Sequence, residues 1–120
     1  MSIYHFKADR AGKVKPGGIQ SIRVEVMNQG EKSFELLLEG FIYGKKVTQV
    51  LWRIPAGFPT SSIRLKEMPT RGRPFRLQIT TNRTTGDQLR IFVYAKRRGK
   101  IIRSYTNQHF AMEPEAREYL

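Results

Sequence analysis

Apolar and polar residues alternate with a period of two over most of this chain, and a sustained 3.6-residue period is nearly absent. Successive side chains of an extended strand point to opposite sides, so the pattern asks for strands that bury one face and wet the other. Ile22, Val24 and Val26 alternate with Arg23, Glu25 and Met27, and Phe75, Leu77 and Ile79 alternate with Arg76, Gln78 and Thr80. Leu89, Ile91 and Val93 face one way while Arg90, Phe92 and Tyr94 face the other, so this run carries apolar bulk on both sides. Runs of this kind recur about every 8 to 12 residues with turn signals between them, the spacing of a sandwich or barrel. The expected fold class is all-β: a single antiparallel β-sandwich of about seven to eight strands.

The punctuation between runs is specific. Asn28-Gln29-Gly30-Glu31 reads as a tight turn in which Asn and Gly supply positive φ. The run from Phe34 through Leu36 and Leu38 is interrupted by Leu37, which places this strand centrally, covered on both faces or bulged near Gly40. Gly44-Lys45-Lys46 is read as a turn, after which Val50, Trp52 and Ile54 share one side opposite Leu51 and Arg53. Pro55 and Pro59 lack the N–H that an inner ladder needs, so 55–59 is a crossing between sheets or an edge. Ile63 to Lys66 is too short to separate strand from turn, and Pro69 to Pro74 is a loop. Thr84-Thr85-Gly86-Asp87 turns the chain, and Arg97-Arg98-Gly99-Lys100 is a hairpin tip with Gly99 left-handed, leading into Ile101 to Tyr105. A small OB-like barrel would require a helix after its third strand, and no mid-chain helix is legible.

A chain of 120 residues fits one domain, and its 39% apolar content is enough for a core. Having no cysteine, it cannot use disulfides, thiolate catalysis, iron–sulfur clusters or cysteine-ligated zinc. No run of about 18 apolar residues is present, which excludes a transmembrane helix. The alternation through Ile3, Tyr4, His5 and Phe6 lacks the apolar block of a secretory signal, so a cytoplasmic address is the default expectation. The net charge is +12, which makes anionic partners an obvious class to weigh. Residues 111–120 hold three Glu and one Arg, leaving +14 on residues 1–110. The expected organisation is a sandwich domain at 1–110 and an acidic C-terminal tail at 111–120, either frayed or a short helix after Pro114.

Lys15-Pro16-Gly17, the Ile22 strand, Asn28, Gly30 and the Phe34 strand together resemble the opening hairpin of bacterial immunoglobulin-like and fibronectin-like sandwich modules. The resemblance covers about a quarter of the chain, and the Cys, Trp, Cys spacing of antibody domains is missing. It implies a binding or structural module rather than an enzyme.

Catalytic constellations are thin. His5 and His109 are the two candidate bases, each beside a Phe and near opposite ends of the chain, with Asp9 and Glu113 the nearest carboxylates in sequence. Glu35 and Glu39 share a strand face about 13 Å apart at about 3.3 Å per residue, too far for paired-carboxylate hydrolysis. Gly17-Gly18 and Arg71-Gly72-Arg73 lack phosphate-loop spacing and a following helix. Asn82-Arg83-Thr84 matches a glycosylation triplet without a secretion signal to support it. The reading assigns no catalytic residue, no metal and no cofactor.

The basic residues carry the remaining signal. Arg23, Arg53, Arg64, Arg76 and Arg90 occupy the polar sides of expected strands, and Lys96, Arg97, Arg98, Lys100 and Arg103 cluster on the last hairpin. The leading expectation is a structural or protein-interaction module, homo-oligomeric through Phe92 and Tyr94 or an unprotected edge. The alternative is a nucleic-acid or polyanion-binding module. It would use Arg90, Lys96, Arg97, Arg98, Lys100, Arg103, Arg23 and Arg76, with the 96–100 hairpin on the phosphates.

Overall fold

A computed structural model describes residues 2–56, 63–82 and 89–113. Among these, nine strands form: β1 (Ser2–Ala8), β2 (Ser21–Asn28), β3 (Phe34–Ile42), β4 (Lys45–Ile54), β5 (Ile63–Pro69), β6 (Phe75–Thr81), β7 (Leu89–Arg97), β8 (Lys100–Tyr105) and β9 (Ala111–Glu113). They make two antiparallel sheets, β4-β3-β6-β1-β9 and β5-β2-β7-β8, so the fold is an all-β sandwich. Two features raise the count to nine: residues 2–8 pair along their whole length with β6, and the first three residues of the acidic segment line up beside β1.

The alternation sets the interior. Ile22, Val24 and Val26 of one sheet meet Phe6, Leu36, Leu38, Leu77 and Ile79 of the other, and Leu89, Ile91, Val93 and Ala95 complete the layer. Each large aliphatic or aromatic side chain removed from water contributes about 1.5–3 kcal/mol, which is why a strict period of two dictates which side faces in.

Three details depart from the expected plan. First, β2 and β3 do not form a hairpin, because they lie in different sheets and 29–33 crosses between them. Asn28 guides that crossing through its side chain: Nδ2 donates to the carbonyls of Lys32 (2.9 Å) and Pro55 (3.3 Å), and Oδ1 accepts the Gly30 N–H (2.9 Å). Second, the β3–β4 turn is Tyr43-Gly44, at φ 50 and 78, and Lys45 and Lys46 already belong to β4. Two adjacent positive φ values are the signature of the I′ hairpin turn, whose twist suits the flanking strands. Third, 63–66 belongs to a strand, β5, whose buried residues Leu65 and Met68 stand three apart. A register shift at Val24/Glu25 resets the phase between them.

Other expectations hold. The β3–β4 register shifts at Gly40/Phe41, β3 lies inside its sheet, and the chain changes sheet after β4. Gly99 takes φ 77 in the β7–β8 tip. Residues 57–59 of the expected crossing, the Thr84–Asp87 turn and residues 114–120 lie outside the described residues. No helix among the described residues is long and apolar enough to cross a membrane.

Candidate functional site

The sandwich divides the expected Arg-striped face between its two outer surfaces. Arg23, Arg64 and Arg90 lie on the β5-β2-β7-β8 sheet, whereas Arg53 and Arg76 lie on the other. Arg76 rests over the Phe41 ring, 4.0 Å from its centroid, and its Nη1 donates to Gln78 Oε1 at 3.1 Å. Arg53 Nη2 donates to Ser33 Oγ at 3.2 Å.

On the β5-β2-β7-β8 surface, two cations, Arg23 and Lys96, are matched by carboxylates, while Arg64 and Lys66 are exposed. Arg23 Nε pairs with Glu25 at 2.8 Å while its guanidinium sits 5.1 Å from the Tyr94 ring centroid. Phe92 and Tyr94 stack on each other, 6.2 Å between centroids and 7° between planes. Tyr94 therefore has Phe92 and Arg23 as partners from its own chain, which reduces its use as an open platform for bases. Lys96 donates to the Glu67 carboxylate, and that bond holds Glu67 below its ordinary range, aided by the charges of Lys96, Arg64 and Arg23. Arg90 and Arg103 are exposed.

A different grouping emerges at one end of the molecule. The pairings Ala8 with Phe75, Ile42 with Phe75 and with Lys45, Ser21 with Pro69 and with Lys96, and Arg97 with Lys100 bring four connections to that end. The β1–β2 connection, 9–20, carries exposed Arg10, Lys13 and Lys15. Tyr43-Gly44 leads directly into exposed Lys45 and Lys46, and the β5–β6 turn carries exposed Arg71 and half-buried Arg73. The β7–β8 tip adds exposed Arg97, Arg98 and Lys100. This basic pole thus holds ten of the 22 Lys and Arg residues, six in the connections and four on the adjoining strand ends, with two carboxylates beside them: Glu39, bound by Lys46 at 3.1 Å, and Asp9. Lys7 hydrogen-bonds the Asp9 carboxylate, the largest of the effects that keep its pKa low, and the ion pair spans 3.3 Å. Among the described residues, the connections at the opposite end carry only Glu31 and Lys32 as formal charges.

Hydrogen bonds tie the pole together. The Gln20 carbonyl accepts the N–H groups of Thr70 and Arg71, both at 2.9 Å, and its own N–H donates to Lys96 O at 2.9 Å. Its side-chain Oε1 accepts the Arg98 N–H at 2.8 Å. Ile19 O accepts Gly72 N–H at 2.7 Å and Thr70 Oγ1 at 3.1 Å. A hollow of about 260 Å³ opens at the same end, lined in part by Lys7, Asp9, Tyr43, Pro74 and Arg76.

Of the sequence-derived polyanion set, Arg97, Arg98 and Lys100 join this pole. Arg23, Lys96 and Arg76 have the partners described above. Arg10, Lys13, Lys15, Lys45, Lys46, Arg71 and Arg73 were not in that set, although a signal was present, since cations crowd the glycines at 17–18, 44, 72 and 99.

The two histidines belong to neighbouring elements. His5 on β1 faces Ala111 on β9, two residues beyond His109. His109 Nδ1 accepts the Thr106 N–H at 3.1 Å, and its ring meets Tyr105 edge-on at 5.2 Å. Glu39 binds Lys46 at 3.1 Å, and Glu35 stands opposite Arg53. Among the described residues no group of three potential metal ligands gathers. No protein-family model matches the chain, and no curated protein matches it.

Proposed function

We propose that this chain is a polyanion-binding β-sandwich module that works through its basic pole and carries out no catalytic chemistry. One observation carries the reading: four connections far apart in sequence, with the strand ends that flank them, gather ten cations at the same end beside the carboxylates of Asp9 and Glu39. Support comes from backbone geometry. Arg71 and Arg98 occupy left-handed positions, φ 53 in each case, where turns of this type favour Asn, Asp or Gly. A bulky side chain held at positive φ is a strained choice, of the kind that accumulates at working sites. Binding of this type is read from its salt response. Six to ten phosphate contacts cost about 10³–10⁵ in affinity between 50 and 200 mM salt. Replacing Arg97, Arg98 and Lys100 with Gln should weaken binding and flatten the slope of log K against log salt by about 0.9 for each phosphate that is no longer neutralised. An unchanged slope would remove the tip from the site.

A second reading, a structural or assembly module, is favoured by where apolar side chains remain exposed. Val47 (51%), Leu51 (69%) and Trp52 (42%) lie on edge strand β4, Ile101 (48%) and Ile102 (45%) on edge strand β8, and Met112 (55%) on edge strand β9. Unpaired edges carrying apolar residues are the usual route by which sheets add strands from another copy. Sedimentation at raised salt tests this, since net charge opposes self-association most at low salt.

For the finer, immunoglobulin-like reading of the sandwich, strand order gives partial support. In the A-to-G lettering of that fold, β2, β3, β4, β5 and β6 occupy the places of B, C, C′, E and F. However, β7 sits where A would pair with B, and β1 where G would pair with F.

A further inference from the structure

We propose that the basic pole is a pre-shaped seat for the phosphate backbone of double-stranded nucleic acid, and that Gln20 is the positioning residue that keeps two of its tips in register. The proposal rests on the polyanion reading above and narrows it to one ligand class. Tyr43-Gly44, Arg71-Gly72 and Arg98-Gly99 each place two successive residues at positive φ; the first and last are two-residue hairpin loops with little slack, and Arg71-Gly72 is a tight turn within the 70–74 crossing between sheets. Gln20 then joins two of them, through its carbonyl to the Thr70-Arg71 turn and through Oε1 to the Arg98 N–H. The cations of these two turns therefore start from fixed backbone positions. Such an array gains most from a partner whose charges are also fixed, because neither side then loses much freedom on contact.

Size agrees with this choice. Four strands of the larger sheet, β4, β3, β6 and β1, reach the pole, and at about 4.8 Å spacing they make it about 14 Å wide. Over that length a duplex presents about 8 charges, at one per about 1.7 Å of axis. A single strand would instead call for open aromatic faces, and Tyr94 already has Phe92 and Arg23 as neighbours. A membrane surface would call for apolar side chains at the tips to enter the lipid. The turns at 43–44, 71–72 and 98–99 hold Tyr, Arg and Gly, with Tyr43 the one large apolar side chain among them. Recognition by backbone contacts alone carries no base sequence, so sites of equal length should bind alike.

The test compares a duplex, a single strand with the same number of phosphates and phosphatidylserine vesicles, at 50 and 200 mM salt, for the full chain and for Gln20→Ala and Gln20→Met. Unfolding curves for both variants check that the sandwich is intact. The expected result is duplex affinity at least tenfold above single-strand and vesicle affinity. In both variants duplex affinity should fall about 3- to 10-fold, with the salt slope unchanged because no cation is removed. Equal binding to duplex and single strand, equal binding to vesicles, or unaltered duplex affinity in the variants would overturn the seat while leaving the polyanion reading in place. Failure of the full chain to bind any polyanion at 50 mM salt would overturn both.

Discussion

Arg98 and Arg71 are residues whose backbone conformation argues against their side chains. Each begins a turn in which both central φ values are positive, and each is followed by the glycine that such a turn requires. Asn fits the first position better than Arg, because its short side chain tolerates the left-handed region. Arg98→Asn is therefore expected to raise stability by about 0.5–1 kcal/mol in denaturant unfolding while weakening polyanion binding. A variant that is both less stable and fully able to bind would contradict the role given to Arg98. These positions are only partly readable from sequence: the pairing of Gly99 with a hairpin tip is a local signal, whereas the φ of the residue before it depends on loop length. The strained turns hold charge where a neutral residue would sit more comfortably.

At the scale of elements, the period of two located most strands correctly, because burial of one face fixes phase and phase is written locally. It misled where phase breaks or where partners must be chosen. The bulge opposite Val24/Glu25 lets Leu65 and Met68 both turn inward, so β5 has no clean alternation to read. The β2–β3 connection resembles a hairpin because Asn and Gly mark turns, yet Asn28 uses its amide to guide a crossing instead. Asn107 plays a comparable part at the far end of β7. Its Oδ1 accepts the Ile91 N–H and its Nδ2 donates to Leu89 O, both at 2.7 Å, which continues hydrogen bonding beyond the β7–β8 pairing that ends at Val93–Tyr105. Asn107→Ala is expected to cost about 2 kcal/mol, since two strand groups lose their partners, and to speed amide exchange at Ile91. Exchange unchanged at that amide would show that water replaces the side chain without loss.

The molecule as a whole sorts charge by connection number. Strands succeed one another antiparallel, so the first, third, fifth and seventh connections reach one end and the even ones reach the other. The cation-flanked glycines were visible in the sequence, but assigning their turns to one end required β1 to be counted as a strand and the crossings to be known. The outer surfaces depend on pairing instead. Glu67 is held below its ordinary range chiefly by its bond from Lys96. A depressed carboxyl stabilises the fold above its unfolded pKa, and that contribution disappears as pH falls through the folded value. Glu67→Gln should therefore differ from the parent chain near neutral pH and converge with it in acid, as followed by urea midpoints. A gap that persists in acid would point to a cause other than the ion pair. Because both groups lie near the surface, added salt should narrow the gap as well.

The separation of charge also governs how this body approaches another. With ten of its 22 cations gathered at one extremity, the body would be turned by an external negative potential so that this extremity leads. Its flanks, where Leu51 and Ile101 look outward, are then turned toward whatever stands alongside.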